Sequence, residues 1–122
     1  MSLSAHGTDW MKWKRKLKRR PLITYLEVTI KADGHALGRA DEITIEGMHV
    51  LACEALGVGV PYALSVKFPV ELKGMLRFDV IARCVACARS SNPDLHDLSL
   101  QFLDISPDAV EAIEDLISRF AR

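Results

Sequence analysis

Two arginines lie four positions apart near the start of the chain, in the stretch Arg15-Lys-Leu-Lys-Arg19. This spacing puts both guanidinium groups one helical turn apart, or on one side of a curled arm. A guanidinium group is planar with forked donors, so it can pair with phosphate oxygens or with the O6/N7 edge of guanine, and it can stack on a base. The alternative is a pair of arginines in a solvated basic tail, and the spacing alone leaves both interpretations open.

A second set of polar residues follows in the stretch Glu42-Ile-Thr-Ile-Glu-Gly47. Side chains alternate along a strand, so Glu42 and Thr44 are predicted to share one face, with the two isoleucines opposite. A carboxylate can accept hydrogen bonds from the N1–H and exocyclic amine of guanine, and a hydroxyl can both donate and accept. Glycine permits a positive φ and the close approach of a ligand. The alternative is an ordinary solvent-facing strand edge.

The charge of the chain is segregated, although the formal net charge is zero. Residues 1–20 hold seven bases and one acid, a net charge of +6, so residues 21–122 carry −6. The seven bases are Lys12, Lys14, Arg15, Lys16, Lys18, Arg19 and Arg20. A basic arm joined to an acidic body suggests an anionic ligand held at the arm, although the charge pattern alone favours the alternative of a solvated tail.

The basic arm also has an apolar side. Trp10, Trp13 and Leu17 fall on one stripe of a short helix predicted for residues 9–18, which Pro21 would end. A nucleic-acid-binding domain is disfavoured, because the acidic body would repel a polyanion and these two tryptophans are the only visible stacking platform.

Length and composition predict one globular domain. The 122 residues are 49% hydrophobic and 26% charged, which is enough apolar material for one core. No apolar run reaches the ~18–20 residues that span a bilayer, and residues 1–10 lack the apolar region of a secretory signal. With three cysteines in no disulfide framework, these features predict a cytoplasmic protein without membrane insertion. Residues 1–11 are predicted to be a flexible leader.

The apolar pattern predicts a β domain with one terminal helix. From Leu22 to Lys31 apolar and polar residues alternate with period two, and Asp33-Gly34 is typical of a turn. Further β segments are predicted at Gly38–Ile45, Met48–Ala52, Tyr62–Phe68, Arg77–Cys87 and Leu98–Leu103. Several short strands divided by turns indicate a sandwich or a barrel.

The helix is predicted over residues 107–121. Ser106 is a suitable N-cap, Pro107 fits the first turn, and Asp108 complements the helix dipole. An apolar stripe along this helix must pack on the body of the domain. The stripe consists of Val110, Ile113, Leu116, Ile117 and Phe120.

The pair Cys84-Val-Ala-Cys87 has the spacing of a metal or redox motif. On one strand, however, residues three apart point to opposite faces, so the two thiols are predicted to share neither a metal ion nor a disulfide. The four histidines are scattered singly and show no ligand spacing. No metal site and no catalytic constellation is therefore expected.

The two polar stretches, in this order and separated by one strand, resemble the PilZ family. That family pairs an RxxxR arm with a later [D/N]xSxxG strand and turn, which corresponds here to the stretch from Glu42 to Gly47. The stretch Arg19-Arg-Pro-Leu resembles the approach to the family's first strand. The stretch from Ser99 to Pro107 resembles its last strand and helix cap, so the similarity covers residues 12–121.

The resemblance implies a mainly β fold, a six-stranded antiparallel β-barrel with a C-terminal α-helix and a basic N-terminal arm. Residues 12–122 would form a single domain, with the arm over 12–21, the barrel over 22–104 and the helix over 107–121. The resemblance also implies that the domain binds cyclic di-GMP between arm and barrel. The residues that correspond to the ligand-binding positions are Arg15, Arg19, Glu42, Thr44 and Gly47.

The function implied is that of a receptor and not of an enzyme. Binding would change the conformation of the arm and create a surface for a downstream partner protein, in a monomer or weak homodimer and without a further cofactor. Two positions depart from the family pattern, since glutamate replaces aspartate or asparagine and threonine replaces serine. One misplaced hydrogen bond costs about 1–3 kcal/mol, or roughly tenfold to a hundredfold in affinity. The alternative is a degenerate adaptor that has lost the nucleotide and acts through protein contacts alone.

Overall fold

The alternating segments form the strands of a closed barrel in the structure, a computed structural model that describes residues 20–122. Every neighbouring pair of strands is antiparallel, and the order around the barrel is β1-β2-β3-β6-β5-β4. The elements are β1 (Arg20–Ile30), β2 (Ala36–Thr44), β3 (Gly47–Ala52), β4 (Pro61–Leu72), β5 (Met75–Arg89), β6 (His96–Asp104) and α1 (Pro107–Phe120). The predicted six-stranded barrel with a C-terminal helix is confirmed.

The inside of the barrel holds the core. Residues at alternate positions of the strands are fully buried, among them Leu26 and Val28 of β1 and Val50 of β3. Phe78 of β5 packs against Phe68 of β4, with ring centroids 5.4 Å apart. Each fully buried side chain of this size contributes about 1.5–3 kcal/mol through removal of apolar surface from water. The alternate residues of each strand face outward, so a binding site on the barrel wall has to be built from them.

The helix α1 begins where its sequence signals place it. The Ser106 hydroxyl accepts a hydrogen bond from the Ala109 amide at 3.1 Å, which satisfies one of the amides left unpaired in a first helical turn. The helix contacts β1, β2 and β4. Its buried residues lie three and four positions apart, as a helix packed on one side requires. They are Ala109, Ala112, Ile113 and Leu116.

The end of α1 is joined to the start of the barrel. Ala121 forms an isolated antiparallel bridge with Leu22. The amide of Arg122 donates to the carbonyl oxygen of Pro21 at 2.9 Å. The first residues of β1, where the N-terminal segment enters the fold, are therefore tied to the last residues of the chain.

The strand β2 contains a bulge next to its polar residues. Ala40 pairs with Val50 of β3, whereas Glu42 pairs with the adjacent His49, so Asp41 is an extra residue in this ladder. The pairing of β2 with β1 shifts over the same region. At the other end of β2 a side chain at Gly38 would overlap the carbonyl oxygen of Leu51, so glycine is required where the two strands approach closely.

The prediction that Cys84 and Cys87 face opposite sides of their strand is wrong, because β5 has a bulge between them. Cys84 pairs with Leu100 of β6. Cys87 pairs with Leu98, which lies on the same face of β6 as Leu100. The extra residue is Val85, and it turns both cysteines toward the inside of the barrel.

Because both cysteines face inward, the geometric argument against a shared metal ion or disulfide no longer applies to them. Cys84 is fully buried, Cys87 is half-buried against the core, and Cys53 is exposed, and the structure shows all three as free thiols. Burial raises the pKa of the Cys84 thiol, which keeps that group protonated. Within residues 20–122, no three His, Cys, Asp or Glu side chains are grouped so that they could hold a metal ion. Within the same range, no helix is both long and apolar enough to cross a bilayer.

Candidate functional site

The outer side of β2, β3 and β6 carries polar residues in two rows that run across the strands. In the first row Glu42 pairs with His49, and His49 pairs with Ser99. In the second row Thr44 pairs with Gly47, which pairs with Gln101. Between these rows, Ile43, Met48 and Leu100 are fully buried and face the core. The six residues of the two rows are called the outer polar face below.

The arm enters the barrel directly beside this face. In the ladder between β1 and β2, Arg20 pairs with Ile43 and Pro21 pairs with Glu42. The predicted arginines, Arg15 and Arg19, lie outside the described residues. The residue that follows them in sequence, Arg20, nevertheless has its backbone in the strand next to the Glu42 motif. The pairing of β1 with β2 therefore places the end of the arm next to the Glu42 motif.

A histidine bridge spans the strands of the outer polar face. The Nδ1 atom of His49 lies 2.6 Å from a carboxylate oxygen of Asp41, the bulged residue of β2. The Nε2 atom of His49 lies 3.2 Å from a carboxylate oxygen of Asp97 in β6. The His49 side chain is 19% exposed, so these contacts are partly shielded from water. The bridge links three adjacent strands and fixes the bulge that precedes Glu42.

Thr44 occupies a different environment from the one that its motif position suggests. Its side chain is 4% exposed, and its hydroxyl oxygen accepts a hydrogen bond from the Glu46 amide at 3.0 Å. This contact closes the two-residue turn between β2 and β3. The hydroxyl proton remains able to donate, because the bond to Glu46 uses only an oxygen lone pair.

Gly47 is a regular strand residue. Within residues 20–122, positive φ angles occur at Gly34, Gly59, Lys73 and Gly74, and Gly47 is not among them. The tolerance of glycine for a positive φ is therefore not used at Gly47. Gly47 lies buried at the start of β3, so close approach is the property of glycine that remains relevant there.

Of the five predicted site residues, the structure brings three together. Glu42, Thr44 and Gly47 lie on one outer face within adjacent strands, with Glu42 and Thr44 on the same side as predicted. Sequence reasoning missed His49, which it treated only as an isolated histidine without metal-ligand spacing. The signal that could have found it is the two-residue turn at 45–46, because a turn of this length fixes the register of the two strands.

Comparison with solved structures identifies the architecture. The chain superimposes on the inhibitor of motility MotI/DgrA of Bacillus subtilis with a TM-score of 0.66 and 16% identity, covering 85% of this chain and 50% of that one. It superimposes on the PilZ domain of Escherichia coli YcgR, solved with c-di-GMP, with a TM-score of 0.56 and 24% identity, covering 82% of this chain and 86% of that domain.

A third structure shows the same fold at lower similarity. The Borreliella burgdorferi PlzA protein, solved in complex with c-di-GMP, matches with a TM-score of 0.51 and 13% identity, covering 89% of this chain and 53% of PlzA. The chain thus spans about half the length of MotI/DgrA and of PlzA. No protein-family model and no curated protein sequence matches the chain. The structural matches show that this chain folds as a PilZ-like domain.

Proposed function

We propose that this domain is a receptor for cyclic di-GMP, which it binds between the basic arm and the outer polar face. The observation that carries the proposal is the pairing of Pro21 with Glu42, because it brings the end of the RxxxR arm beside the Glu42–Gly47 motif. Two of the solved proteins with this fold were crystallised with c-di-GMP. In this proposal Arg15 and Arg19 bind phosphates and stack on bases, and Glu42 and Thr44 read guanine edges.

The polar groups of the face are chemically suited to guanine. The Glu42 carboxylate offers acceptors to the N1–H and exocyclic amine of the base, and the Thr44 hydroxyl keeps a proton to donate. Gly47 adds no side chain beside them. The receptor acts by binding and by rearranging its arm toward a downstream protein in the cytoplasm, so it needs no catalytic group. Monomer and weak homodimer are both compatible with this action.

Titration calorimetry of the purified chain with cyclic di-GMP tests the proposal. We expect a dissociation constant of about 1 µM or lower. Arg15→Ala and Arg19→Ala should each weaken binding by roughly tenfold to a hundredfold, because each removes forked donors to phosphate or guanine. Lys16→Ala is the matched control, since it removes one positive charge from the same segment without removing a guanidinium group. Its effect should stay below about threefold.

Two outcomes would contradict the proposal. No heat at about 100 µM ligand would leave the adaptor that acts through protein contacts alone. Equal losses in Lys16→Ala and in the arginine variants would show that only the net charge of the arm matters. Glu42→Asp combined with Thr44→Ser restores the side chains of the family pattern and should preserve or improve affinity. The serine retains the hydroxyl oxygen that accepts from the Glu46 amide.

A further inference from the structure

A groove on the outside of the barrel adjoins the outer polar face and plays no part in the proposed cyclic di-GMP contacts. Its volume is about 320 Å³, and most of its surface is apolar. Along the strands it occupies the next row beyond His49, where Arg39 of β2 pairs with Leu51 of β3 and Leu51 pairs with Asp97 of β6. It is lined by Tyr25, Gly38, Arg39, Leu51, Cys53 and Leu95.

The lining suits a flat aromatic side chain. The Tyr25 ring is 54% exposed, and the Arg39 guanidinium carbon lies 6.0 Å from its centroid. Leu51 in β3 and Leu95, which directly precedes β6, are half-buried and supply apolar contact. Aromatic rings and guanidinium groups stack favourably on other aromatic rings. The groove volume is at the lower end for small-molecule pockets and corresponds to one or two large side chains.

We infer that this groove binds the N-terminal segment of the same chain, residues 10–17, through its tryptophans when no ligand is present. The segment carries Trp10, Trp13 and Leu17 with helical spacing, which gives it one apolar side. The inference concerns the ligand-free chain, and it stands whether or not cyclic di-GMP is the ligand.

The length of the segment is sufficient to reach the groove. The groove row at Arg39 lies four residues along β2 from Ile43, the partner of Arg20, which corresponds to roughly 13 Å. Crossing two strands adds roughly 10 Å, so the direct separation is about 17 Å. With residues 10–18 taken as the helix that gives the segment its apolar side, at about 1.5 Å per residue, and residues 18–20 extended, Trp10 can lie up to about 19 Å from Arg20. The path from β1 to the groove crosses the outer polar face.

Charge complementarity supports the same occupant. Residues 12–19 contain six bases and no acid. The outer polar face, which the segment must cross, holds Glu42, and the two carboxylates in contact with His49, those of Asp41 and Asp97, lie between this residue and the groove or beside it. An acidic approach beside an apolar groove matches a segment that is basic on one side and aromatic on the other.

The test uses the fact that Trp10 and Trp13 are the two tryptophans of the sequence. Both indole N–H signals in a ¹⁵N-labelled protein therefore report on this segment. A nitroxide label on Cys53, which is exposed and lines the groove, should strongly broaden at least one of them. The label is attached in a Cys87→Ala background, with the buried Cys84 retained. Leu51→Gln should restore most of the lost intensity by weakening docking about tenfold.

Ile81→Gln is the matched control, because Ile81 is an exposed aliphatic residue of β5 that does not line the groove. It should leave the broadening unchanged, and circular dichroism melts of both variants verify that the barrel is intact. Sharp indole signals in the labelled protein would overturn the inference, as would equal broadening in Leu51→Gln. In a mixture of molecules that carry only ¹⁵N with molecules that carry only the spin label, broadening can arise only between molecules. Equally strong broadening in that mixture would assign the groove to a second copy and overturn the inference as well.

Discussion

Strands β2 and β5 each carry one extra residue, Asp41 in β2 and Val85 in β5. In β2 the bulge comes before the polar motif, so Glu42 and Thr44 keep their common outward face. In β5 the bulge falls between the two cysteines and turns both of them inward. Alternation is therefore a reliable guide within an uninterrupted ladder and fails for any pair of residues that a bulge separates.

The two bulges also differ in what holds them. Asp41 is fixed by a side-chain contact to His49 on the outside of the barrel. At the other bulge the Cys84 thiol donates to the carbonyl oxygen of Ala86 at 3.4 Å, a weak contact on the inside. The β2 bulge is thus tied to the candidate site, whereas the β5 bulge is tied to the core. This difference can be tested by removing residues in and around each bulge.

The largest effect should come from shortening β5. Deletion of Ala82, a paired inward residue, shifts one part of the strand by one position and turns buried side chains such as Phe78 and Val80 outward. We expect a loss of roughly 3–6 kcal/mol in the free energy of unfolding, enough to unfold many domains of this size.

Deletion of Val85 is the matched comparison for the Ala82 deletion. It removes the extra residue and leaves every pair on both sides in register, so its cost should be about 1–2 kcal/mol. Urea unfolding followed by circular dichroism measures both deletions. If the Val85 deletion is as damaging as the Ala82 deletion, the bulge is required for the barrel and the comparison fails.

The second prediction separates the two inward cysteines by depth. Cys84→Ser places a hydroxyl in a fully buried position and should cost about 2–3 kcal/mol. Cys87→Ser, at a half-buried position, should cost less than about 1 kcal/mol. Thermal melts of the two single variants measure the difference. Equal costs would show that Cys87 is as deeply packed as Cys84.

The third prediction concerns the turn that follows the β2 bulge. Thr44→Ala removes the acceptor for the Glu46 amide and should lower the free energy of unfolding by about 1 kcal/mol. Thr44→Ser keeps the acceptor and should lie within about 0.5 kcal/mol of the wild type. Denaturant titration of both variants provides the measurement. A neutral Thr44→Ala variant would mean that the turn is held by its backbone alone.

The smallest effect should be a weak dependence of stability on pH, caused by His35, which lies in neither bulge. His35 lies between Glu54, 2.7 Å from Nε2, and Asp33, 2.6 Å from Nδ1. Two hydrogen bonds, the stronger effect coming from Glu54 and the weaker from Asp33, raise the pKa of His35 above its ordinary 6.5. The hydrogen bond from the backbone amide of His35 lowers the pKa of Asp33 below its ordinary 3.8, and the hydrogen bond from the His35 side chain has a smaller effect in the same direction.

The sign of the pH effect follows from these directions. The contribution of His35 to stability is complete below about pH 6.5 and is lost as the pH rises through the raised pKa. The contribution of Asp33 is lost only as the pH falls through its lowered pKa. A series of melting temperatures between about pH 6 and pH 9 should decline slightly, and His35→Gln should remove part of that decline. An unchanged slope in His35→Gln would contradict the assignment.

Much of the fold follows from local sequence signals. The period-two segments, the turn at Asp33-Gly34 and the cap at Ser106 lie where the sequence predicts them, within a few residues at the strand ends. These features depend on neighbouring residues, and local patterning encodes them. The order of the arm, the first strand and the Glu42 motif also pointed to the PilZ family, and the structure has the fold of a PilZ domain.

The parts that the sequence did not predict depend on contacts between distant residues. The His49 bridge joins Asp41 and Asp97, which are 56 positions apart, through the register of three strands. The apolar groove is assembled from Tyr25, Leu51 and Leu95, and no local pattern relates them. The bulge at Val85 lies in the apolar run Cys84-Val-Ala-Cys-Ala88, where polar and apolar residues no longer alternate. Such a run does not tell which of its residues is the extra one.

The bridge between Leu22 and Ala121 holds the start of β1 beside the last residues of the chain, so the order of the elements could be changed without changing their arrangement in space. Because Arg122 and Pro21 are joined by a hydrogen bond, a short linker could connect residue 122 to residue 20. New ends could then be opened at the Lys73-Gly74 turn, where both residues have positive φ and no strand is interrupted. Such a circular permutant would place α1 before β1 while preserving every pairing of the barrel.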